Sequence, residues 1–379
     1  MATVHMCKLT AYTVDMPMAR SFGHSAKKRT RAESLILTFE NEEVRANGEC
    51  APRNYVTGET LDSVDSELAQ LNWKRYHSGL ESSDPAGVLQ EVLECGVNQL
   101  LDFIPQNNTN CALELLAIDV LCKRLQTSVL AYLTESEREE TTRPFSQVKD
   151  SSLPLEEFMA SHGPFHLVKV KATSRFSDDL ETLDRLRSII GLDTEIIFDV
   201  NMGWTFDQAV IRCKALRDRQ VNIIEEPLLP HSFSALAKLQ RSTGIKVMLD
   251  ESLCNQEDAI EAVKHESCTY FNLRVAKLGG ITPALKLARF ADAVGIGYQV
   301  GVQVAECATL IDAGRTLSFL LPKAFTTEAG QSDLFFPTPV ARPSSRVNRV
   351  KNVITAPVDI GFGTVTTAAI KQFETTRFI

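Results

Sequence analysis

Five charged side chains recur along the second half of the chain at an almost constant interval. They are Lys171, Asp199, Glu225, Asp250 and Lys277, and they are separated by 28, 26, 25 and 27 residues. One strand, one helix and two short loops occupy about this length, so each interval corresponds to one βα unit. A charged residue at the end of each successive strand brings these side chains to one edge of a parallel sheet. The interval therefore predicts a repeated βα fold with one polar site.

Alternating strand and helix patterns extend over most of the C-terminal half. The predicted strands are residues 145–149, 166–173, 194–201, 221–227, 246–252, 270–277, 297–304 and 324–330. Between them lie amphipathic segments, such as residues 178–190, 206–218 and 282–294, with apolar residues three and four positions apart. Eight such units favour a (β/α)8-type TIM barrel. An open doubly wound sheet is the alternative, but no Gly-rich dinucleotide-binding turn follows the first strand.

The remaining parts of the chain predict a second domain. Residues 1–140 show two strand patterns followed by helical segments, which is typical of an α+β capping domain. The barrel is predicted over residues 141–335. Residues 336–379 begin with a Pro-rich link and contain a strand-like stretch, but no barrel unit remains for them to form. We therefore predict that this last segment returns to the capping domain, giving an α/β fold of barrel and cap.

Composition excludes several classes of partner. The 379 residues carry a formal charge of −8 without a dense Lys/Arg stripe, which argues against nucleic acid. No apolar stretch approaches the length that spans a bilayer, and the N-terminus lacks the apolar core of a signal peptide, so no membrane association is predicted. Nine cysteines, an odd number with no CxxC pair, favour reduced thiols and a cytoplasmic location.

Side-chain parity predicts which strand residues face the barrel interior, because alternate residues of a strand point to opposite faces. On four strands the charged residue shares a face with earlier apolar residues and lies near the C-terminal end, where barrels of this type place their chemistry. The predicted inward sets are Leu167, Lys169 and Lys171; Ile197, Asp199 and Asn201; Val221, Ile223 and Glu225; and Phe271, Leu273, Val275 and Lys277.

The three carboxylates predict a metal site. Asp199, Glu225 and Asp250 come from neighbouring strands, and carboxylate oxygens suit a hard cation such as Mg²⁺. The alternative is that each caps the helix that follows its strand. Glu226 and Glu251 have the opposite parity, so we predict that they lie outside the ligand set.

The lysines predict proton transfer. Lys171 belongs to the second strand and Lys277 to the sixth, so the two should face each other across the barrel mouth. Burial and the like charge of Lys169 are expected to lower lysine pKa values, which would allow one lysine to act as base and the other as acid. The alternative is a pair of solvated lysines at strand ends.

These residues form motifs that resemble the enolase superfamily, specifically its muconate-cycloisomerase-like subgroup. The motifs are Lys169-Val170-Lys171, Asp199-Val200-Asn201, Ile224-Glu225-Glu226-Pro227, Asp250-Glu251-Ser252 and Lys277-Leu278-Gly279-Gly280. Their order and spacing agree over about 140 residues, and the cap and returning tail also match the family layout. The resemblance therefore covers nearly the whole chain.

The resemblance implies that Asp199, Glu225 and Asp250 bind Mg²⁺ and that the enzyme removes the proton α to a carboxylate, giving an enediolate. It also implies that Lys171 and Lys277 are the acid/base pair. A relative of mandelate racemase would carry a His on the seventh strand, and residues 297–304 contain none.

The resemblance further places Lys169 and Asn201 at the substrate, a small carboxylate. The subgroup includes dipeptide epimerases, N-acylamino acid racemases, o-succinylbenzoate synthases and cycloisomerases, and its members are often homo-oligomers. Lysines retained on both faces favour a racemase or epimerase acting on a dipeptide or N-acyl amino acid. A lyase or cycloisomerase and a non-catalytic binding protein are the alternatives.

Two acids near the ends of the last strands are candidates for substrate binding. Glu306 follows the seventh strand, where the resemblance suggests that it orients Lys277; the alternative is a carboxylate at a helix N-terminus. Asp333 stands where dipeptide epimerases usually carry two acids, although this chain has only one. It either binds a substrate cation or caps its own loop.

Two predicted cap loops should cover the barrel mouth and provide specificity. Residues 18–24 contain Arg20 and His24, and residues 51–55 contain Arg53. These three side chains are predicted to bind a distal anionic group of the substrate. The alternative is that they are solvated loop charges.

Overall fold

The computed structural model describes residues 7–23, 28–134, 140–304, 306–328, 334–336 and 338–378. The cap begins with three long strands and continues with helices. Its elements are β1 (Lys8–Gly23), β2 (Lys28–Glu40), β3 (Arg45–Cys50), α1 (Asn54–Thr57), α2 (Leu61–Gln70), α3 (Trp73–Leu80), α4 (Pro85–Cys95), a 3-10 turn (Val97–Leu100), α5 (Asn107–Arg124) and α6 (Val129–Leu133).

Helix α5 is the centre of the cap. Nearly all of its side chains are buried, which matches a helix that is apolar on every side rather than amphipathic. It packs on β3 at Gly48, where a Cβ atom would lie 2.0 Å from the carbonyl oxygen of Ala112. The glycine therefore permits the close approach of helix and sheet.

The barrel follows as alternating strands and helices. Its elements are β4 (Thr142–Pro144), β5 (Gln147–Lys149), α7 (Leu155–His162), β6 (Leu167–Lys171), α8 (Phe176–Ile190), β7 (Glu195–Asp199), α9 (Phe206–Arg217), β8 (Ile223–Glu225), α10 (Phe233–Thr243), β9 (Lys246–Leu249), α11 (Gln256–Lys264), β10 (Tyr270–Leu273), α12 (Val275–Leu278), α13 (Ile281–Val294), β11 (Gly297–Val300) and α14 (Thr309–Leu320). Strands β5 to β11 form one parallel sheet in chain order.

A short eighth segment closes the barrel. It pairs with β11 at a parallel bridge between Thr327 and Val300, where the N–H of Val300 donates to Thr326 and the N–H of Glu328 donates to Val300. On its other side the N–H of Ser146, just before β5, donates to the carbonyl oxygen of Thr327 at 2.8 Å. The predicted (β/α)8-type barrel with an N-terminal cap is confirmed.

The tail completes the cap sheet. It contains β12 (Ala341–Arg342), β13 (Val347–Asn348), β14 (Val353–Thr355), β15 (Val365–Thr366), a 3-10 turn (Ala368–Phe373) and β16 (Glu374–Arg377). Strand β16 pairs antiparallel with β1, so the cap sheet has the order β16-β1-β2-β3. Strand β14 instead pairs with β4 beside the barrel. The C-terminal strand returns to the cap as predicted, whereas the exact domain boundaries stay a prediction. Within the described residues we find no helix with the length and apolarity that crossing a membrane requires.

The prediction for the sixth strand is wrong in length and in parity. Strand β10 ends at Leu273, and Lys277 lies on the one-turn helix α12. Phe271 and Leu273 belong to the main apolar core, while Asn272 points to the barrel interior and donates to Glu225. The error has a physical cause, because a strand buried on both faces carries apolar residues on both and its alternation does not identify the interior.

Candidate active site

Strand register brings the three predicted carboxylates to one end of the barrel. Asp199 is the last residue of β7 and pairs in register with Glu225, the last residue of β8. Asp250 directly follows β9. All three side chains are fully buried, which is costly for carboxylates unless cations or hydrogen bonds compensate them.

Lys169 provides part of that compensation. Its Nζ lies 3.0 Å from Asp199 Oδ2, 2.6 Å from Glu225 Oε2 and 2.7 Å from Glu328 Oε1. Burial lowers the pKa of Lys169, but the attraction of these carboxylates outweighs burial and the pKa lies well above its ordinary value. The ammonium form of Lys169 is therefore stabilised, although the positive charge of Arg274 acts against it.

The two other lysines lie on opposite sides of the carboxylate row. Lys171 Nζ donates to Asp199 Oδ2 at 2.5 Å and to Asn201 Oδ1 at 3.3 Å. Lys277 Nζ donates to Asp250 Oδ1 at 2.9 Å and to the carbonyl oxygen of the same residue. Each lysine thus contacts one of the two outer carboxylates, and Glu225 stands between them in strand order.

The cap holds the segment that carries Lys277. At the start of α5, Asn107 Nδ2 donates to the carbonyl oxygens of Lys277 and Cys254, at 2.6 and 2.8 Å. Asn110 Nδ2 donates to the carbonyl oxygen of Gly279 at 2.6 Å. Gly279 ends α12 with φ of 90°, a conformation that favours glycine. The position of Lys277 thus depends on side chains of the cap.

Burial, and after it the repulsion between neighbouring carboxylates, shifts the pKa values of the acids in the site. Burial, followed by repulsion from Asp199, raises the pKa of Glu225 to about 8. Burial and then Asp250 raise the pKa of Glu251 to about 8. By contrast, Lys169 and Lys171 overcome the effect of burial and hold the pKa of Asp199 below its ordinary value. The carboxylates of the site therefore differ in how readily they ionise.

A divalent cation fits this donor set chemically. Three buried carboxylates from adjacent strands are hard oxygen donors, and a dication among them would relieve the repulsion on Glu225. In the described conformation, however, Asp199, Glu225 and Asp250 do not form a group whose oxygens all lie within 4.8 Å of one another. The Lys169 ammonium contacts the first two, and the Arg274 guanidinium contacts Asp250.

Sequence reasoning missed several residues that shape the site. Arg274 Nη2 pairs with Asp250 and Nη1 donates to Gln303 Oε1 at 3.2 Å, while Asn272 Nδ2 donates to Glu225 Oε1 at 2.8 Å. Positions 272 and 274 share one face of β10 and its extension, so correct parity on this strand would have found both. Glu328 lies next to the bridge between Thr327 and Val300 on the eighth segment, and it pairs with Lys169.

Glu226 and Glu251, which follow Glu225 and Asp250 in the chain, hold neighbouring groups in place by hydrogen bonds. Glu226 accepts hydrogen bonds from the backbone N–H groups of Asp250 and Ser252, at 2.8 and 3.1 Å, and so fixes the turn that follows β9. Glu251 Oε1 accepts from Asn201 Nδ2 at 3.0 Å. Asn201 therefore connects Lys171 to the far side of the carboxylate row.

The predicted cap residues are placed differently from each other. Arg20 lies in the part of β1 where the pairing with β2 is interrupted. Its Nη1 pairs at 2.6 Å with Oδ2 of Asp150, the residue that follows β5. Arg53 is 2% exposed and donates to the carbonyl oxygens of Glu33, Pro52 and Val304. Residues 18–23 are therefore strand rather than loop, and Arg53 is not a solvated charge.

Arg53 nevertheless lies close to the chemistry. It lines a narrow crevice, together with Asn108, Lys277 and Gln303, that is too tight for a water molecule. Lys277 itself is 1% exposed. The cap therefore closes tightly over this side of the barrel mouth, as the predicted placement of residues 51–55 requires.

The structure does not join every predicted residue to the site. Glu306 is buried, and its Oε1 accepts a hydrogen bond from the N–H of Gln303 at 2.7 Å. Among the described residues Glu306 makes no hydrogen bond to Lys277. Burial raises the pKa of Glu306 to about 8. His24 and Asp333 lie outside the described residues, so their roles stay predictions.

The fold and the charged strand ends define a barrel protein with a buried, cap-covered polar centre. A family profile described as Enolase C-terminal domain-like matches residues 154–366, more than half of the chain. The chain belongs to the enolase superfamily and to its mandelate racemase and muconate lactonising enzyme subgroup.

Relatives in this family have several activities. N-succinyl-L-Arg/Lys racemase of Bacillus cereus is 24% identical over 324 residues, which cover 82% of this chain and 84% of the relative. The crystal structure of that racemase superposes with a TM-score of 0.83 at 22% identity, covering 99% of each chain. The dipeptide epimerase of Enterococcus faecalis, complexed with Mg and the dipeptide L-Leu-L-Tyr, gives a TM-score of 0.79 at 20% identity over 94% of this chain and 99% of that one. Chloromuconate cycloisomerase CbnB of Cupriavidus necator is 31% identical over 137 residues, or 36% of this chain and 37% of the relative.

Proposed function

We propose that the protein is a Mg²⁺-dependent racemase or epimerase that exchanges the proton on the carbon α to a carboxylate. One observation carries the proposal: Lys171 and Lys277 hydrogen-bond to the two outer carboxylates of the row from opposite sides. A substrate carbon lying between two amines can lose its proton to one amine, become planar, and then receive a proton from the other amine on the opposite face. Inversion requires this arrangement.

Asp199, Glu225 and Asp250 would hold the Mg²⁺ ion. When bound, the cation would stabilise the negative charge that develops on the substrate carboxylate. Lys169 lies among the same carboxylates and would place a fixed positive charge beside that oxyanion. Asn201 would orient Lys171 through its 3.3 Å contact.

The proton transfer would use both lysines in turn. The neutral amine of one lysine takes the α-proton, and the electron pair of the broken C–H bond moves towards the carboxylate. The ammonium of the other lysine then donates a proton to the opposite face of the same carbon. Reversal of the two roles serves the other enantiomer, so each lysine is the base for one enantiomer only.

The substrate is proposed to be a dipeptide or an N-acyl amino acid. The support is the similarity to an N-succinyl amino acid racemase and to dipeptide epimerases, over most of the chain. Arg53 and Lys277 line a crevice too narrow for water, so on this proposal the cap would shift when a substrate enters on that side.

Solvent deuterium incorporation tests the proposal. Purified protein is incubated in D2O with N-succinyl amino acids and with dipeptides, each as separate enantiomers, in the presence of Mg²⁺. We expect deuterium at the α-carbon and formation of the second enantiomer. Lys171→Met and Lys277→Met should each abolish exchange of one enantiomer while the other enantiomer still exchanges.

A matched control separates chemistry from folding. Lys246 begins β9 at the opposite end of the barrel, so Lys246→Met removes a strand lysine without touching the site. It should exchange both enantiomers at the wild-type rate. Absence of exchange with every substrate, or equal loss of both enantiomers in each lysine variant, would refute the two-base proposal.

A lyase or cycloisomerase is the second candidate. The local 31% identity to a chloromuconate cycloisomerase favours it, because this exceeds the identity to the racemase over a shorter region. Elimination or ring closure requires one base on one face only. Product formation without inversion, together with loss of activity in one lysine variant alone, would establish this function instead.

A further inference from the structure

A group of side chains of the types that bind metals lies in the cap, apart from the carboxylates at the strand ends. Cys7 directly precedes β1, His77 belongs to α3, and Glu81 is the C-cap residue of α3. One ligand atom from each of the three lies within 4.8 Å of the other two. His77 and Glu81 are four residues apart, so both project from the same face of the helix.

His77 offers an unsatisfied nitrogen to this group. Its Nε2 is buried, and no described residue donates to it or accepts from it. The ring packs against the Phe39 ring with centroids 6.0 Å apart, which fixes its orientation. A buried polar atom without a partner costs free energy, and a bound ligand would recover that cost.

Glu81 is also positioned for a ligand. Asn41 Nδ2 donates to its Oε1 at 2.6 Å, which leaves Oε2 available for a metal. The Asn41 side chain is itself fixed, because its Oδ1 accepts from the N–H groups of Glu43 and Val44. Such outer hydrogen bonds are a common feature of metal-binding carboxylates. Glu81 also lines a surface pocket with Glu42 and Glu43, which gives the group a path to solvent.

We propose that Cys7, His77 and Glu81 bind one Zn²⁺ ion, with water as the fourth ligand. A thiolate, an imidazole and a carboxylate are the three ligand types that zinc accepts, and tetrahedral geometry needs four donors. The thiol proton leaves to solvent as the bond between sulfur and zinc forms. The two anionic ligands then balance the charge of the ion. The bound metal would fasten the start of β1 to α3, so its role is to stabilise the cap.

Cobalt is the probe for thiolate ligation. The full-length protein is stripped of metal with EDTA, transferred to Mg²⁺ buffer and titrated with Co²⁺. We expect a sulfur-to-cobalt charge-transfer band in the near ultraviolet that saturates at one equivalent and that Zn²⁺ abolishes. The barrel carboxylates cannot produce this band, since they supply only oxygen. Cys7→Ser should remove the band, and His77→Ala should weaken Co²⁺ binding at least about tenfold.

Cys95 provides the matched control. It is the exposed cysteine at the end of α4, so Cys95→Ser should leave the band unchanged. In the wild-type protein, Zn²⁺ should slow alkylation of Cys7 at least about tenfold and leave alkylation of Cys95 unaffected. This measurement needs no variant to fold. A missing band, a band that persists in Cys7→Ser, or equal alkylation of Cys7 with and without Zn²⁺ would each overturn the proposal.

Discussion

Asn107 is predicted to position Lys277 from the cap. Asn107→Ala removes two hydrogen bonds, to the carbonyl oxygens of Lys277 and Cys254. Neutral hydrogen bonds contribute about 0.5–1.5 kcal/mol each, so the free energy of unfolding should fall by about 1–3 kcal/mol. The short helix α12 would also lose a fixed point, and a displacement of about 1 Å at a catalytic group can cost about 100-fold in rate.

The assay measures α-proton exchange separately for the two enantiomers. Because Asn107 supports only the Lys277 side, exchange of the enantiomer that uses Lys277 as base should fall about 10- to 100-fold. For the other enantiomer, Lys171 still removes the α-proton, so exchange should continue. Its inversion should become slower, because the displaced Lys277 donates the returning proton less well. Urea unfolding provides the stability change in parallel.

Gln70→Ala is the control for this experiment. Gln70 also donates its side-chain amide to a carbonyl oxygen within the cap, that of Ser66, but at the exposed surface of α2. It should change neither stability nor exchange measurably. If Asn107→Ala slows both enantiomers equally, or slows neither, then the cap does not position Lys277 and the reasoning is refuted.

Three further predictions concern stability and the metal. Glu49→Ala should lower the free energy of unfolding by about 3–5 kcal/mol in urea titrations, because the buried carboxylate accepts three backbone N–H groups near the start of α14; Glu49→Gln keeps an acceptor and should lose less. Burial, helped by Arg20 and Arg349, lowers the pKa of His162 from 6.5 to about 4. Neutral His162 should therefore make its full contribution to the free energy of unfolding above pH 6.5. That contribution should fall between pH 6.5 and 4, because the unfolded chain takes up a proton there and the folded chain does not. The urea midpoint of His162→Gln should lack this pH dependence. EDTA treatment should abolish α-proton exchange and added Mg²⁺ should restore it; exchange at the full rate without divalent cations would contradict the proposed metal role.

The interval between charged residues predicted the barrel and the convergence of its polar residues. It succeeded because parallel strands of similar length end at one level, so Asp199 and Glu225 pair directly in register. The same reasoning located Lys169 and Lys171 on the inward face of β6, where both contact Asp199. The spacing of the charged residues and the alternation of strand faces are local properties of the sequence, so they predict strand ends and inward faces without tertiary contacts.

Residues whose placement depends on tertiary packing could not be read in the same way. Lys277 reaches the site from a one-turn helix that the cap holds, and no local pattern distinguishes that helix from a continued strand. Arg53 looks like an exposed loop charge until the carbonyl oxygens of Glu33 and Val304 surround it. Glu328 lies within the predicted strand 324–330, but only the folded barrel brings it to its partner Lys169 on β6.

The eighth segment of the barrel brings one charged residue, Glu328, to the polar centre. Backbone hydrogen bonds from Phe325 to Tyr298, from Val300 to Thr326 and from Glu328 to Val300 hold its described residues against β11. Glu328 Oε1 lies 2.7 Å from Nζ of the Lys169 ammonium. A shift of this segment would therefore change the charge beside Asp199 and Glu225, because both carboxylates contact the same ammonium.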